Sequence, residues 1–164
     1  MYITAYRTPS NKTRDARVLD MISSILSGGK SSRLHKKLLM TRKWRYRLQH
    51  SARVRRLRYV YNTWYSNARF TRDQIQAEID AEIKDLQTNL ISEREYQKLQ
   101  NEFENSYVHS NSDLESLAEN LATYYLLNGD INLINEEINI YRSITREEIR
   151  EVAKKYLQPN SVYF

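Results

Sequence analysis

Two adjacent glycines, Gly28 and Gly29, most constrain the fold because they interrupt an apolar helical pattern. The residues from 15 to 26 have the apolar spacing of an amphipathic helix, and a second apolar run begins after Lys30. Glycine can adopt the left-handed backbone conformation that ends a helix. The sequence therefore predicts a helix, a hinge at the glycine pair and a second helix.

The second helix is expected to begin with the polar sequence Ser31-Ser32-Arg33. A serine hydroxyl can accept a hydrogen bond from a free N–H group of the first helical turn. Arg33 then lies in that first turn, where a cation opposes the helix dipole at a cost of about a few tenths of a kcal/mol. We infer that Arg33 serves something outside its helix, although a solvated arginine at a helix corner is the alternative.

The residue types rule out several classes of active site. Cysteine is absent, which excludes thiolate metal sites, cysteine nucleophiles and disulfides. The three histidines, His35, His50 and His109, are isolated, and neither His-x-x-Glu-His nor His-Glu-x-x-His occurs. We therefore predict no catalytic residue and no metal ligand in this chain. No apolar run approaches the length of about 18 residues that a membrane span requires, so no span is predicted.

The formal charge of +6 conceals a strong asymmetry, because residues 1–72 carry +16 and residues 73–164 carry −10. Residues 42–72 contain ten Lys or Arg, no acid and several interleaved Trp and Tyr. Cations for phosphates and aromatic faces for bases suit a single-stranded nucleic-acid surface. A small basic nucleic-acid-binding protein is thus the alternative function, and a pair of strands with solvated basic faces explains the same residues.

Several motifs occur in the order found in a known family. A strand predicted over Tyr2–Tyr6 is followed by Tyr-Arg-x-Pro, a helix and Leu-Ser-Gly-Gly-x-Ser-Ser-Arg-Leu. This order resembles the C-terminal, non-catalytic domain of the pitrilysin/insulinase family of zinc metallopeptidases, the inverzincins. The sequence ITREEI, which begins at Ile144, and the turn YLQPN, which ends at Asn160, extend the resemblance.

The resemblance implies an α+β fold with an antiparallel sheet and helices packed on one face, as in the insulinase and mitochondrial-processing-peptidase domains. Strands near Tyr2–Tyr6 and Val162–Phe164 are expected to share this sheet. The C-terminal half is expected to be rich in helices. Residues 1–164 would form a single domain that is incomplete at both ends.

The resemblance also implies a function. The chain would be a fragment that encloses and helps to bind peptide substrate together with a separate zinc-bearing domain. Arg33 matches the family's substrate-binding arginine, and Ser31 and Ser32 accompany it. Zinc is expected only in the other domain, so no activity is expected of this chain alone. Either a cytoplasmic or a periplasmic location of a bacterial parent protein is compatible with this reading.

The resemblance fails between Arg42 and Arg69. With suitable codons, Arg53 to Trp64 read one nucleotide later can encode ESEDYGMYITLG, a strand–turn–strand segment of the kind that the family would show here. We interpret residues 42–69 as an out-of-frame translation, in which case their basic charge has no selected function. The nucleic-acid surface and the solvated strand pair remain open.

Overall fold

The structure, a computed structural model, describes residues 2–10, 12–41, 52–54, 57–64, 71–158 and 162–163. Its strands are β1 (Tyr2–Thr8), β2 (Ala52–Val54), β3 (Leu57–Trp64) and β4 (Val162–Tyr163). Its α-helices are α1 (Arg14–Ser27), α2 (Arg72–Thr88), α3 (Glu93–Ser110), α4 (Leu114–Asn128), α5 (Leu133–Ser143) and α6 (Arg146–Tyr156), and a π-helical segment covers His35–Thr41. The chain divides into unit 1, Met1–Ile91 with Arg146–Phe164, and unit 2, Ser92–Thr145.

The strands of unit 1 form one sheet with the order β2-β3-β1-β4, and all neighbouring strands are antiparallel. β1 pairs with β3 along its whole length, from Tyr2 opposite Trp64 to Thr8 opposite Arg58. Its other edge pairs with β4, where Ala5 lies opposite Tyr163. The first and last strands of the chain are therefore neighbours, as their sequences predicted.

The core of unit 1 is built around α1. Buried residues occur on every side of α1, as expected for a helix that other elements enclose. They are Ala16, Arg17, Val18, Leu19, Met21, Ile22, Ser23, Ile25 and Leu26. α6 packs against α1, α2 and β1. On β1, Tyr6 is buried, and this burial raises the pKa of Tyr6 to about 12, with a further contribution from the negative charge of Asp80.

Unit 2 is a small helical assembly in which α3, α4 and α5 pack pairwise. Its helix ends follow the local sequence closely. The Ser92 hydroxyl accepts a hydrogen bond from the Glu95 N–H at 3.2 Å, and Asp113 Oδ1 accepts one from the Ser116 N–H at 2.8 Å. Gly129, with φ of +79°, ends α4 in the left-handed conformation.

The prediction of an α+β domain built on an antiparallel sheet with helices on one face is wrong as a description of the chain. Helices account for most of the described residues, and unit 2, which is described throughout, has no strand. Among the described strands, β2 has three residues and β4 has two. The reason is that helical apolar spacing extends almost unbroken from residue 72 to residue 157, whereas strand-forming sequence occurs only near the ends and in one short hairpin.

Residues 42–51, 55–56 and 65–70 lie outside the part of the chain that the structure describes. Seven of the ten cations on which the nucleic-acid alternative depends lie at these positions. The segment interpreted as out of frame, residues 42–69, contains these positions together with β2 and β3. Both stay predictions.

Candidate functional site

The glycine hinge has a different requirement at each of its two positions. The N–H of Gly28 donates to the Ser24 carbonyl at 2.7 Å, and a Cβ atom added to Gly28 would lie only 2.6 Å from that oxygen. Gly29 has φ of +77°, a backbone conformation that residues with a side chain rarely adopt. A Cβ atom added to Gly29 would have no other atom within 4 Å. A close approach therefore requires glycine at position 28, and a backbone angle requires it at position 29.

Ser32 closes the turn that follows the hinge. Its side chain is buried, and its hydroxyl donates to the Gly29 carbonyl at 2.8 Å. The sequence had suggested that this hydroxyl would accept a bond from the next helix. Instead the Ser32 carbonyl accepts from the Lys36 N–H at 3.0 Å. Ser31, beside it, is exposed to solvent.

Arg33 begins the helical segment that continues as the π-helix. The π-helix is a rare conformation that is often found at functional sites. Leu34 and Leu38 are fully buried and anchor this segment in unit 1. Arg33 and Lys37 are four residues apart, and the side chains of both extend to carboxylates of α2.

The Arg33 guanidinium is paired with carboxylates of α2. Its Nη1 atom lies 2.5 Å from Asp85 Oδ2 and 3.9 Å from Glu82 Oε2. The Arg33 side chain is only 19% exposed. The Asn89 side-chain amide also donates to Asp85, at 2.7 Å. The bond from Asn89 and then the bond from Arg33 lower the pKa of Asp85, despite its partial burial.

Lys37 extends this arrangement by one helical turn. Its Nζ atom lies 2.9 Å from Glu82 Oε1 and 3.1 Å from Glu78 Oε2. Partial burial lowers the pKa of Lys37, but the hydrogen bonds to Glu82 and Glu78 outweigh it, so the pKa is raised overall. We refer to these five side chains, Arg33, Lys37, Glu78, Glu82 and Asp85, as the ion-pair cluster. Two cations and three carboxylates give it a formal charge of −1.

Sequence reasoning did not find the carboxylates of this cluster. The run from Ala77 to Lys84 has the pattern of a helix with a charged, solvated face, yet Glu78 and Glu82 are each less than 20% exposed. The sequence did contain a signal for these pairs, because the spacing of the cations along one helix matches the spacing of the acids along the other. Cations four residues apart at 33 and 37 can face acids spaced by four and three residues from position 78 to position 85.

Within the described ranges, no group of three or more His, Asp or Glu side chains is placed to hold a metal ion. No described helix is both long enough and apolar enough to cross a membrane. His109 is exposed on α3, and His50 lies outside the described residues. The Arg33 guanidinium keeps its proton at any physiological pH, so it can donate hydrogen bonds but cannot act as a general base.

The sequence model of the peptidase M16 inactive domain matches residues 1–103, which is more than half of the chain. The chain belongs to this family. The resemblance to the C-terminal, non-catalytic domain of the pitrilysin/insulinase zinc peptidases is thereby confirmed. A search of curated protein sequences finds no match.

Solved structures share the fold of this M16 inactive domain. A protease from Helicobacter pylori superimposes with a TM-score of 0.88 at 20% identity, over 98% of this chain and 38% of that protein. The inactive peptidase domain of a proposed zinc protease from Bordetella parapertussis gives 0.83 at 17% identity, over 98% of this chain and 86% of that one. The peptidase M16 inactive domain from Pseudomonas fluorescens superimposes with a TM-score of 0.82 at 16% sequence identity, over 98% of this chain and 38% of that chain.

Such identities establish a common fold and nothing further. The chain spans little more than a third of the Helicobacter pylori protease. This M16 inactive domain therefore corresponds to one part of a longer protein in that relative, and it is the non-catalytic part of the zinc protease family.

Proposed function

We propose that this M16 inactive domain encloses peptide substrate together with a separate zinc-bearing domain, and that Arg33 donates hydrogen bonds to the bound peptide. The observation that carries the proposal is the placement of Arg33. It lies four residues after Gly29, the second glycine of a hinge that requires both of its glycines, and its guanidinium is held by Asp85 at 2.5 Å. A donor held in one orientation binds a partner with less loss of side-chain entropy.

The charge of the ion-pair cluster indicates what Arg33 would bind. Glu82 and Asp85 already offset the positive charge of Arg33, and the five side chains sum to −1. A peptide carboxylate would therefore meet repulsion beside the guanidinium, whereas a neutral backbone carbonyl would not. We assign a peptide carbonyl as the acceptor.

The two serines then have different roles. Ser32 is buried and bonded to the Gly29 carbonyl, which supports a role in fixing the turn that carries Arg33. Ser31 is exposed two residues before Arg33, which supports a place for its hydroxyl at the edge of the peptide site. Zinc would belong to the other domain, since the described residues of this chain offer no ligand cluster.

The test is reconstitution with a zinc-bearing domain of the same family that contains His-x-x-Glu-His. The purified mixture is assayed with a fluorogenic peptide, and assembly is followed by size-exclusion chromatography. Removal of a charge-assisted hydrogen bond costs about 1.5–3 kcal/mol, so Arg33→Ala should lower kcat/KM by roughly tenfold or more. The chain alone should not cleave the peptide.

The matched control is Arg14→Ala. Arg14 also makes an ion pair within unit 1, with its Nε atom 2.7 Å from Glu148 Oε1. If Arg33 binds substrate, Arg14→Ala should leave kcat/KM within about twofold of the unaltered chain, because loss of a surface ion pair costs at most about 1 kcal/mol of stability. Equal activity of Arg33→Ala and the unaltered chain, with assembly intact, would refute the proposal.

A further inference from the structure

The outer face of α4 is apolar, and none of the residues that the structure describes covers it. None of the residues of α4 is buried. Leu114 is 86% exposed, Leu126 is 78% exposed and Tyr125 is 65% exposed. Ala118 and Ala122 are exposed between them. Large contiguous apolar surfaces of this kind are uncommon on proteins that have no partner there.

These side chains share one face because of their spacing. Positions 114, 118, 122 and 125 follow each other at intervals of four and three residues, so they lie in a row along the helix. Leu126 lies beside the last of them. The opposite side of α4 carries Leu117, Leu121 and Tyr124, which are half-buried, as expected for the side that packs against α3 and α5.

Acidic side chains border this face. Glu115 and Glu119 are exposed, and their positions place them along one side of the apolar row. Unit 2 as a whole contains ten Asp or Glu and three Lys or Arg, which gives it a formal charge of −7. An occupant of the face must therefore tolerate, or use, a strongly negative surrounding.

The charge separates the possible occupants. Symmetric pairing of two copies through α4 would bring Glu115 and Glu119 of both chains together within a field of like charge. Anionic lipid and nucleic acid would be repelled in the same way. A protein segment with an apolar centre and a basic rim meets both requirements, and an amphipathic helix is the usual form of such a segment.

We propose that the outer face of α4 is a docking surface for a basic amphipathic helix of a partner protein. Leucine-like side chains of that helix would cover the row from Leu114 to Leu126. Its lysines or arginines would pair with Glu115 and Glu119. This surface lies wholly in unit 2, and the proposal does not depend on any role of Arg33.

The test uses the 164-residue chain and a labelled, amidated 14-residue peptide with leucines at helical spacing and lysines elsewhere. Fluorescence anisotropy should show saturable 1:1 binding that weakens as salt concentration rises. Leu114→Ser with Leu126→Ser should raise Kd at least tenfold. Glu115→Gln with Glu119→Gln should raise it several-fold and reduce the salt dependence.

The matched control is Glu136→Gln with Glu147→Gln, two exposed glutamates outside α4 whose replacement changes the net charge by the same amount. It should leave Kd within about twofold. Equal weakening by both glutamine pairs, or equal binding of a peptide with the same residues in scrambled order, would reduce the effect to general attraction and overturn the proposal. Dimers of the chain that dissociate in the leucine variant would also overturn it, because a second copy would then cover the face. Circular dichroism verifies that each variant folds.

Discussion

Units 1 and 2 hold their helices together in different ways. Unit 1 has a dense apolar core in which α1 is enclosed on every side. In unit 2 the buried apolar side chains are Leu99, Ile134 and Ile144. Its helices are joined instead by tyrosine hydroxyls that donate to backbone carbonyls: Tyr96 to Ile144 and Tyr107 to Ile134, each at 2.7 Å.

The two kinds of contact differ in strength. Full burial of a large aliphatic side chain contributes about 1.5–3 kcal/mol, whereas a typical hydrogen bond contributes about 1 kcal/mol net. Unit 2 should therefore open locally at a lower free energy than unit 1. Amide hydrogen exchange under native conditions measures this directly, and we expect slower exchange in α1 than in α4.

The largest effect is expected from a cavity in the core of unit 1. Ile149 on α6 is 1% exposed, so Ile149→Ala should lower the free energy of unfolding by about 2–5 kcal/mol. The loss should appear as faster exchange in α1 and α2. Denaturant titration gives the total change.

Ile131→Ala is the control for this cavity. Ile131 is 47% exposed in unit 2, and its truncation should change the free energy of unfolding by less than about 0.5 kcal/mol. If Ile149→Ala accelerates exchange in α3 to α5 as strongly as in α1, the two units unfold as one body and the contrast between them fails.

A smaller effect is expected at the hinge, where the two glycines can be compared directly. Gly28→Ala places a Cβ 2.6 Å from the Ser24 carbonyl and forces the backbone to move, at a cost of about 1–3 kcal/mol. Gly29→Ala meets no atom and incurs only the left-handed strain of about 1 kcal/mol. Thermal unfolding of both variants should rank Gly28→Ala as the more damaging, and the reverse order would contradict the close approach to Ser24.

What the sequence could predict was local. The cap of α2 is predictable from adjacent residues, because Thr71 and Gln74 have the spacing of a capping box, and their side chains form one. Asp113 at the start of α4 and Gly129 at its end were also predictable, because each acts on residues within a turn of itself. The family could be identified for the same reason, since its motifs are short and follow one another in order.

What the sequence could not predict was how distant elements meet. Arg33 and Asp85 are 52 residues apart, and no local rule pairs them. The π-helical form of residues 35–41 was missed because the sequence predicted only that a second helix follows the hinge, and the π-helix is a rare form. The α+β fold class was wrong because it was taken from the resemblance, whereas the apolar spacing of the chain is helical almost throughout residues 72–157.

The tyrosine bonds of unit 2 should contribute less than the cavity in unit 1. Tyr107→Phe removes the donor to the Ile134 carbonyl and should cost about 0.5–1.5 kcal/mol. Tyr125→Phe is the control, because Tyr125 is 65% exposed and should tolerate loss of its hydroxyl. Exchange should accelerate in α3 and α5 of the Tyr107 variant and remain unchanged in α1. An unaltered rate would mean that apolar contacts, such as the rings of Phe103 and Tyr141 with centroids 4.4 Å apart, hold unit 2 by themselves.

The smallest effect is expected from the polar contacts between α1 and α6 in unit 1. Lys155 Nζ and Tyr156 Oη both donate to Asp15 Oδ2, at 2.7 and 2.8 Å. The bond from Lys155 lowers the pKa of Asp15 more than partial burial raises it, and the Tyr156 hydroxyl lowers it further. The pKa of such a carboxyl is lower in the folded state than its unfolded value of about 3.9. It therefore stabilises the folded state fully above the unfolded pKa, and this stabilisation is lost as pH falls through the folded pKa.

The same pair weakens at high pH. The bond to Asp15 raises the pKa of Lys155, so its contribution is complete below the unfolded value of about 10.4 and is lost as pH rises through the folded one. Asp15→Asn should therefore cost less than about 1 kcal/mol at pH 7 and flatten the loss of stability below pH 4. Asp73→Asn, at an exposed position on α2, is the control with the same charge change. Urea titrations from pH 3 to pH 7 measure the free energy of unfolding of each variant as a function of pH. Parallel pH curves for Asp15→Asn and the unaltered chain would show that the Asp15 carboxylate does not stabilise unit 1.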